Sequence, residues 1–233
     1  MKKEVLRNEA NPEKIKSSYS VELVEAFKTE GCPVCRLLDR YIEQYFENLL
    51  YEFTNDPGVR RAIRDALGYC EKHTAQLIKI ADKTYQRLSI SIIAEDITRK
   101  LLERYCEVVY QGKKSVFAEK ESSKICPACL YQTKHEKFLI SEMAKVFRRD
   151  EYFDEIKINS GLCVKHIRQY LDMEKNPQIA KKVIENQTTI LKKINSELNG
   201  FIKKHDYRNK EKITESEANA WRKTLEIVAK KSQ

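Results

Sequence analysis

Eight residues dominate the chemistry available to this chain. They fall into two sets: Cys32-Pro33-Val34-Cys35 followed by Cys70-Glu71-Lys72-His73, and Cys126-Pro127-Ala128-Cys129 followed by Cys163-Val164-Lys165-His166. Cysteines two residues apart can aim both sulfurs at one point when the backbone between them turns tightly. The proline fixes one backbone angle of that turn, and the amides after it are free to donate to thiolate sulfur. A Cys and a His three apart on a helix share a face. A CPxC half-site and a CxxH half-site therefore supply three thiolates and one imidazole, the ligand count of a closed tetrahedral zinc site. Three thiolates around a divalent ion leave one negative charge. Lys72 and Lys165 stand immediately before the histidines, where a cation favours the thiolate form, although ordinary surface placement also explains lysines in so basic a chain.

The spacing repeats. Cys32 and Cys35 lie 94 positions before Cys126 and Cys129, and Cys70 and His73 lie 93 before Cys163 and His166. At the first offset Phe53 meets Phe147 and Asp56 meets Asp150; at the second Gly68 meets Gly161. Two ordered copies of both motifs, with matching proline and glycine, indicate an internal duplication. The expectation is that each copy closes its own site: Cys32, Cys35, Cys70 and His73 in the first, Cys126, Cys129, Cys163 and His166 in the second. Two Zn2+ ions are the expected occupants. Iron-sulfur clusters are the alternative, since they accept the same soft ligands.

The elements that must carry these residues read as helices. Six glycines and five prolines in 233 residues leave few turn signals, and an all-α fold follows: two tandem helical modules, each pinned by a Cys3His site, plus a C-terminal helix. After Cys35, the residues Leu37, Leu38, Tyr41, Ile42, Tyr45, Phe46, Leu49, Leu50 and Phe53 form one apolar stripe, ended at Asn55-Asp56-Pro57-Gly58. A short helix over Val59 to Leu67 follows, then one opened by Cys70 and His73, then a long one from Leu88 to Tyr110. Leu88, Ile92, Ile93, Ile97, Leu101, Tyr105 and Val108 should face inward on that long helix, with Cys106 buried beside them as a small apolar group. In the second copy Phe138, Leu139, Ile140, Met143, Val146 and Phe147 mark the first helix, and Ile179, Val183, Ile190, Ile194, Leu198 and Phe201 the last. Thr214 and Glu217 form a capping box ahead of Trp221, Leu225 and Val228. The organisation is a polar segment 1–19, a first repeat 20–112, a polar linker 113–124, a second repeat 125–206, and a C-terminal helix within 207–233 packing on the repeats. His135, at the position of Tyr41, reads as a packed helix residue, and His205 as part of a charged turn.

The motifs CPVCRLLDR, LLYEFTNDPGVR, GYCEKH, CPACL, GLCVKH, KHDYR and EANAWRKTLE together resemble a prokaryotic family of helical proteins of unknown function with paired CPxC and CxxH motifs. That resemblance spans nearly the whole chain and implies a metal-binding helical fold, with no activity attached. No apolar stretch reads as a signal peptide or membrane span, so the expected address is the cytoplasm, where spaced cysteines are metal ligands or redox groups rather than disulfides. The net charge of +9 is spread among interleaved acids, which supports nucleic acid only weakly as a partner. A non-catalytic metal-clamped scaffold for a protein partner is the leading reading. An iron-sulfur redox, sensor or iron-delivery protein comes next. A thiol-disulfide oxidoreductase ranks last, because its CxxC would sit between a strand and a helix. No glycine loop, nucleophile elbow or carboxylate pair names a reaction, and the balance leans away from an enzyme.

Overall fold

A computed structural model describes residues 18–112, 125–149 and 161–229. Among these residues every regular element is helical: α1 Ser18–Phe27, α2 Pro33–Asn48 continued by a π-helical turn Leu49–Phe53, α3 Pro57–Asp65, α4 Glu71–Thr84, α5 Arg87–Gln111, α6 Pro127–Phe147, α7 Val164–Met173, α8 Pro177–Lys204 and α9 Glu215–Val228. Asp150, part of the sequence repeat, lies outside the described residues, as do residues 1–17 and 113–124 of the polar N-terminal segment and linker. No helix among those described is long and apolar enough to cross a membrane.

The helix boundaries follow from local chemistry. Pro33, Pro57, Pro127 and Pro177 each open a helix, at a position where the missing amide costs nothing. Asp56 caps α3 by accepting from the Val59 amide at 2.8 Å, and Thr214 and Glu217 close the expected capping box on α9. The π turn ends at buried Thr54, whose hydroxyl donates to the Leu49 carbonyl at 2.9 Å.

The described residues divide into two compact units, one of those within 18–34 and 139–229, the other of those within 35–138. The division falls within α2 and α6. In the first unit Leu23, Phe27, Leu139, Met143, Val146, Phe147 and Tyr170 are buried, with the Phe147 ring 5.5 Å from Phe27 and 5.2 Å from Tyr170. Buried Glu174 accepts from Arg148 at 3.0 Å, tying the ends of α6 and α7. In the second unit Ile42, Phe46, Leu49, Leu50, Ile63, Leu77, Ile80 and Ile93 form one cluster. Asp96, buried on α5, pairs with Arg60 of α3 at 2.6 Å and with Arg99 at 2.5 Å.

The long helix α5 departs from the expected inner face. Ile93 is buried, but Leu88 is 76% and Tyr105 55% exposed, and Cys106 is exposed rather than buried. Its buried residues, Ile93 and Asp96, lie in the amino-terminal half that packs on α3 and α4. Phe53 and Phe138, expected in the apolar stripes, are 44% and 40% exposed.

Candidate metal centres

The structure brings all eight cysteine and histidine residues into two groups, each with every ligand atom within 4.8 Å of the others. The pairing is a correction. Each group joins the CPxC of one motif set to the CxxH of the other: Cys32 and Cys35 with Cys163 and His166, and Cys126 and Cys129 with Cys70 and His73. Modules that each close their own site, as expected from spacing alone, are not what forms.

The reason is the rigidity of α2. In the second unit Phe46 lies against His73, with ring centroids 6.3 Å apart, and Tyr45 and Tyr69 share a hydroxyl contact at 3.3 Å. Cys70 and His73 are therefore level with the far end of α2. Cys35 sits eleven residues earlier, about 16 Å away at the rise of an α-helix. No single ion spans that gap. The start of α6 fills the place instead. Tyr45 packs on Tyr131 at 4.8 Å and Tyr41 on His135 at 5.4 Å, so the two helices run antiparallel and deliver Cys126 and Cys129 to His73.

Every half-site lies at a helix start. Cys70 and Cys163 are the N-cap residues of α4 and α7 with nearly identical backbone angles, φ −65° and ψ 164° against φ −71° and ψ 161°. Their carbonyls accept from Thr74 and Ile167 at 2.8 and 2.9 Å. The positive ends of the helix dipoles thus face the thiolates and offset their charge. Gly68 takes φ +95° two residues before Cys70, a left-handed angle that glycine adopts without strain. Gly161 is needed for space: a Cβ there would meet the Gln187 side chain at 3.0 Å, and that side chain bonds the Leu162 amide and carbonyl at 2.9 and 3.0 Å.

In the Cys70 cluster, Nδ1 of His73 lies 3.3 Å from the sulfur of Cys70, 3.5 Å from that of Cys126 and 3.4 Å from that of Cys129, and the Cys70 and Cys129 sulfurs are 3.7 Å apart. In the Cys163 cluster, Nδ1 of His166 is 3.3 Å from the sulfur of Cys32 and 3.1 Å from that of Cys163. A tetrahedral zinc with Zn–S near 2.3 Å and Zn–N near 2.0 Å has edges of about 3.8 Å between sulfurs and about 3.5 Å between sulfur and nitrogen. The observed separations are close to those edges. Both histidines are buried, at 1% and 2% exposure, rather than facing solvent.

Nδ1 faces the sulfurs because Nε2 of His73 donates to the side-chain oxygen of Gln132 at 3.1 Å. That bond sets the tautomer a metal needs. Burial pushes the His73 imidazole below its ordinary pKa, favouring the neutral form. Burial, then the neighbouring Cys70, push the Cys129 thiol up to about 12. For Cys70 burial acts upward too, but the His73 amide and the neighbouring sulfurs outweigh it and bring the thiol below its usual value. Gln132 was not singled out from sequence. Its signal was its place one helical turn after Cys129, and its counterpart in the first copy is Leu38.

The other histidines take the places expected of them. His135 packs on Tyr131 with centroids 4.1 Å apart, and Nδ1 of His205 contacts the Phe201 carbonyl at 3.1 Å.

Helices alone among the described residues, with two Cys3His-type clusters that could bind metal ions, define the class. The chain belongs to a family of unknown function, DUF6062, whose model matches residues 13–233. It is similar to an uncharacterised 23.9 kDa protein encoded in the xynA 3′ region of Caldicellulosiruptor sp. (strain Rt8B.4), 27% identical over 210 residues that cover 89% of this chain and 98% of that protein. No solved structure matches.

Proposed function

We propose that this protein holds two zinc ions, one in each cluster, and that the clamped helices present a rigid surface to a macromolecular partner in the cytoplasm. The observation that carries the reading is the set of sulfur–nitrogen and sulfur–sulfur separations, 3.3 to 3.7 Å in the Cys70 cluster, close to the edges of a single tetrahedral ion. An iron-sulfur cluster would interpose its own irons and sulfides and spread its protein ligands further, so this spacing weighs against it. Three sulfurs and one nitrogen fill a tetrahedron and leave no position for water or substrate, which supports a structural rather than a catalytic ion. The CxxC pairs begin helices in a chain with no strand among its described residues, unlike the strand-to-helix setting of a thiol oxidoreductase.

Duplication accounts for the architecture. Copies over 20–112 and 125–206 would place equivalent helices after equivalent motifs, α2 with α6, α4 with α7 and α5 with α8. Tyr41 and His135, at equivalent positions, touch each other, as residues on a local two-fold axis between copies do. Each ion then ties two segments far apart in sequence, so zinc binding and folding are coupled.

Elemental analysis and a visible spectrum of anaerobically purified protein test the reading. Two zinc ions per chain and no colour are expected. Brown protein with iron and sulfide would overturn it.

A further inference from the structure

The two clusters are equivalent in ligands but not in accessibility. Cys163 is buried at 2% exposure, whereas Cys70, its counterpart, is exposed. Cys70 also has a second thiol at hand: the Cys129 sulfur is 3.7 Å from its own, so a bond between them needs a closure of less than 2 Å. Both residues sit at helix starts, Cys70 as N-cap of α4 and Cys129 in the first turn of α6. An exposed cysteine with a second sulfur 3.7 Å from its own, both held as thiolates once zinc is bound, is the arrangement that a hydroperoxide attacks and a neighbouring sulfur resolves.

We propose that Cys70 is a site of two-electron oxidation by hydroperoxides, ending in a Cys70–Cys129 disulfide that expels zinc from the Cys70 cluster while the Cys163 cluster keeps its ion. The inference rests on the zinc reading above. In the first step the Cys70 thiolate attacks the peroxide; an S–O bond forms, the O–O bond breaks, and alkoxide (hydroxide from hydrogen peroxide) leaves with the electron pair. In the second step the Cys129 thiolate attacks the Cys70 sulfenic sulfur; an S–S bond forms, the S–O bond breaks, and hydroxide leaves, neutralised like the first leaving group by the acid form of the buffer. Two sulfurs are oxidised by two electrons in all, and the peroxide is reduced by two. The ion loses two of four ligands and two of three negative charges, leaving Cys126 and His73, too few to retain it.

The test uses the zinc-loaded full chain. Zinc is counted first; a chain purified without zinc would overturn both this inference and the reading it rests on. Hydrogen peroxide is then added up to one equivalent, with a chromophoric chelator reading released zinc and peptide mass mapping locating disulfides. The expected result is release of one of the two ions, with Cys70–Cys129 as the first disulfide formed. Release of both ions in one phase, or a disulfide among Cys32, Cys35 and Cys163 at the same rate, would overturn the inference while leaving the zinc reading intact. Cys106→Ser removes the other exposed thiol, which lies outside both clusters, and should leave the release unchanged; its loss would place the reactive thiol at Cys106 and overturn the assignment.

Discussion

Replacing Gln132 by leucine should weaken one metal site and spare the other. Gln132 accepts from Nε2 of His73 at 3.1 Å and from Lys72 at 3.4 Å, and His73 is 1% exposed, so water does not readily replace the lost acceptor. Partners of this kind around a ligand histidine typically contribute 10- to 100-fold in metal affinity, or ~1.4 to 2.7 kcal/mol. The residue three after Cys35, where Gln132 stands three after Cys129, is Leu38, so the Cys163 cluster has no such bond to lose at that position. Competition of the zinc-loaded chain against a chelator series resolves two affinities. Gln132→Leu is expected to lower one by 10- to 100-fold and leave the second within error. Equal weakening of both, or no change in either, would refute the argument that this amide holds the His73 tautomer.

Three further outcomes follow from the packing. Asp96→Ala should destabilise the second unit by about 1.5 to 3 kcal/mol at neutral pH, since it removes a buried carboxylate bonded to Arg60 and Arg99. The Arg60 hydrogen bond holds the Asp96 carboxyl below its usual pKa, so this contribution is complete above pH about 4 and fades as the pH falls through the depressed folded value; denaturant titrations of variant and parent should converge in acid. Gly161→Ala should cost about 1 to 3 kcal/mol because the new methyl meets Gln187 at 3.0 Å and disturbs its two bonds to Leu162; thermal melts that leave the midpoint unchanged would contradict it. Cys106→Ser should change stability by less than about 0.5 kcal/mol in the same melts, in line with its exposure.

Much of this architecture is legible in the sequence, for identifiable reasons. The apolar pairs along α2 and its π turn, from Leu37 to Leu50, recur at helical spacing and are buried except for half-buried Tyr45, and Thr214 with Glu217 marks the start of α9. The eight metal-site candidates were legible because residue type and spacing alone mark a half-site. Which half-sites meet was not, since spacing says nothing about the direction in which the chain returns. The expected inner face of α5 is exposed at Leu88, Tyr105 and Cys106 because periodicity shows which residues share a face but not how much of a long helix its neighbours cover. Asp96 and Glu174 gave no signal, since a buried acid is recognisable only once its arginine is in place.

Crosswise ligation is tested most directly by loading the chain with cadmium and recording proton–cadmium correlation spectra, which reveal the side chains bound to each ion. One ion should couple to Cys32, Cys35, Cys163 and His166, and the other to Cys70, His73, Cys126 and Cys129. Coupling of a single ion to both Cys32 and Cys70 would contradict it.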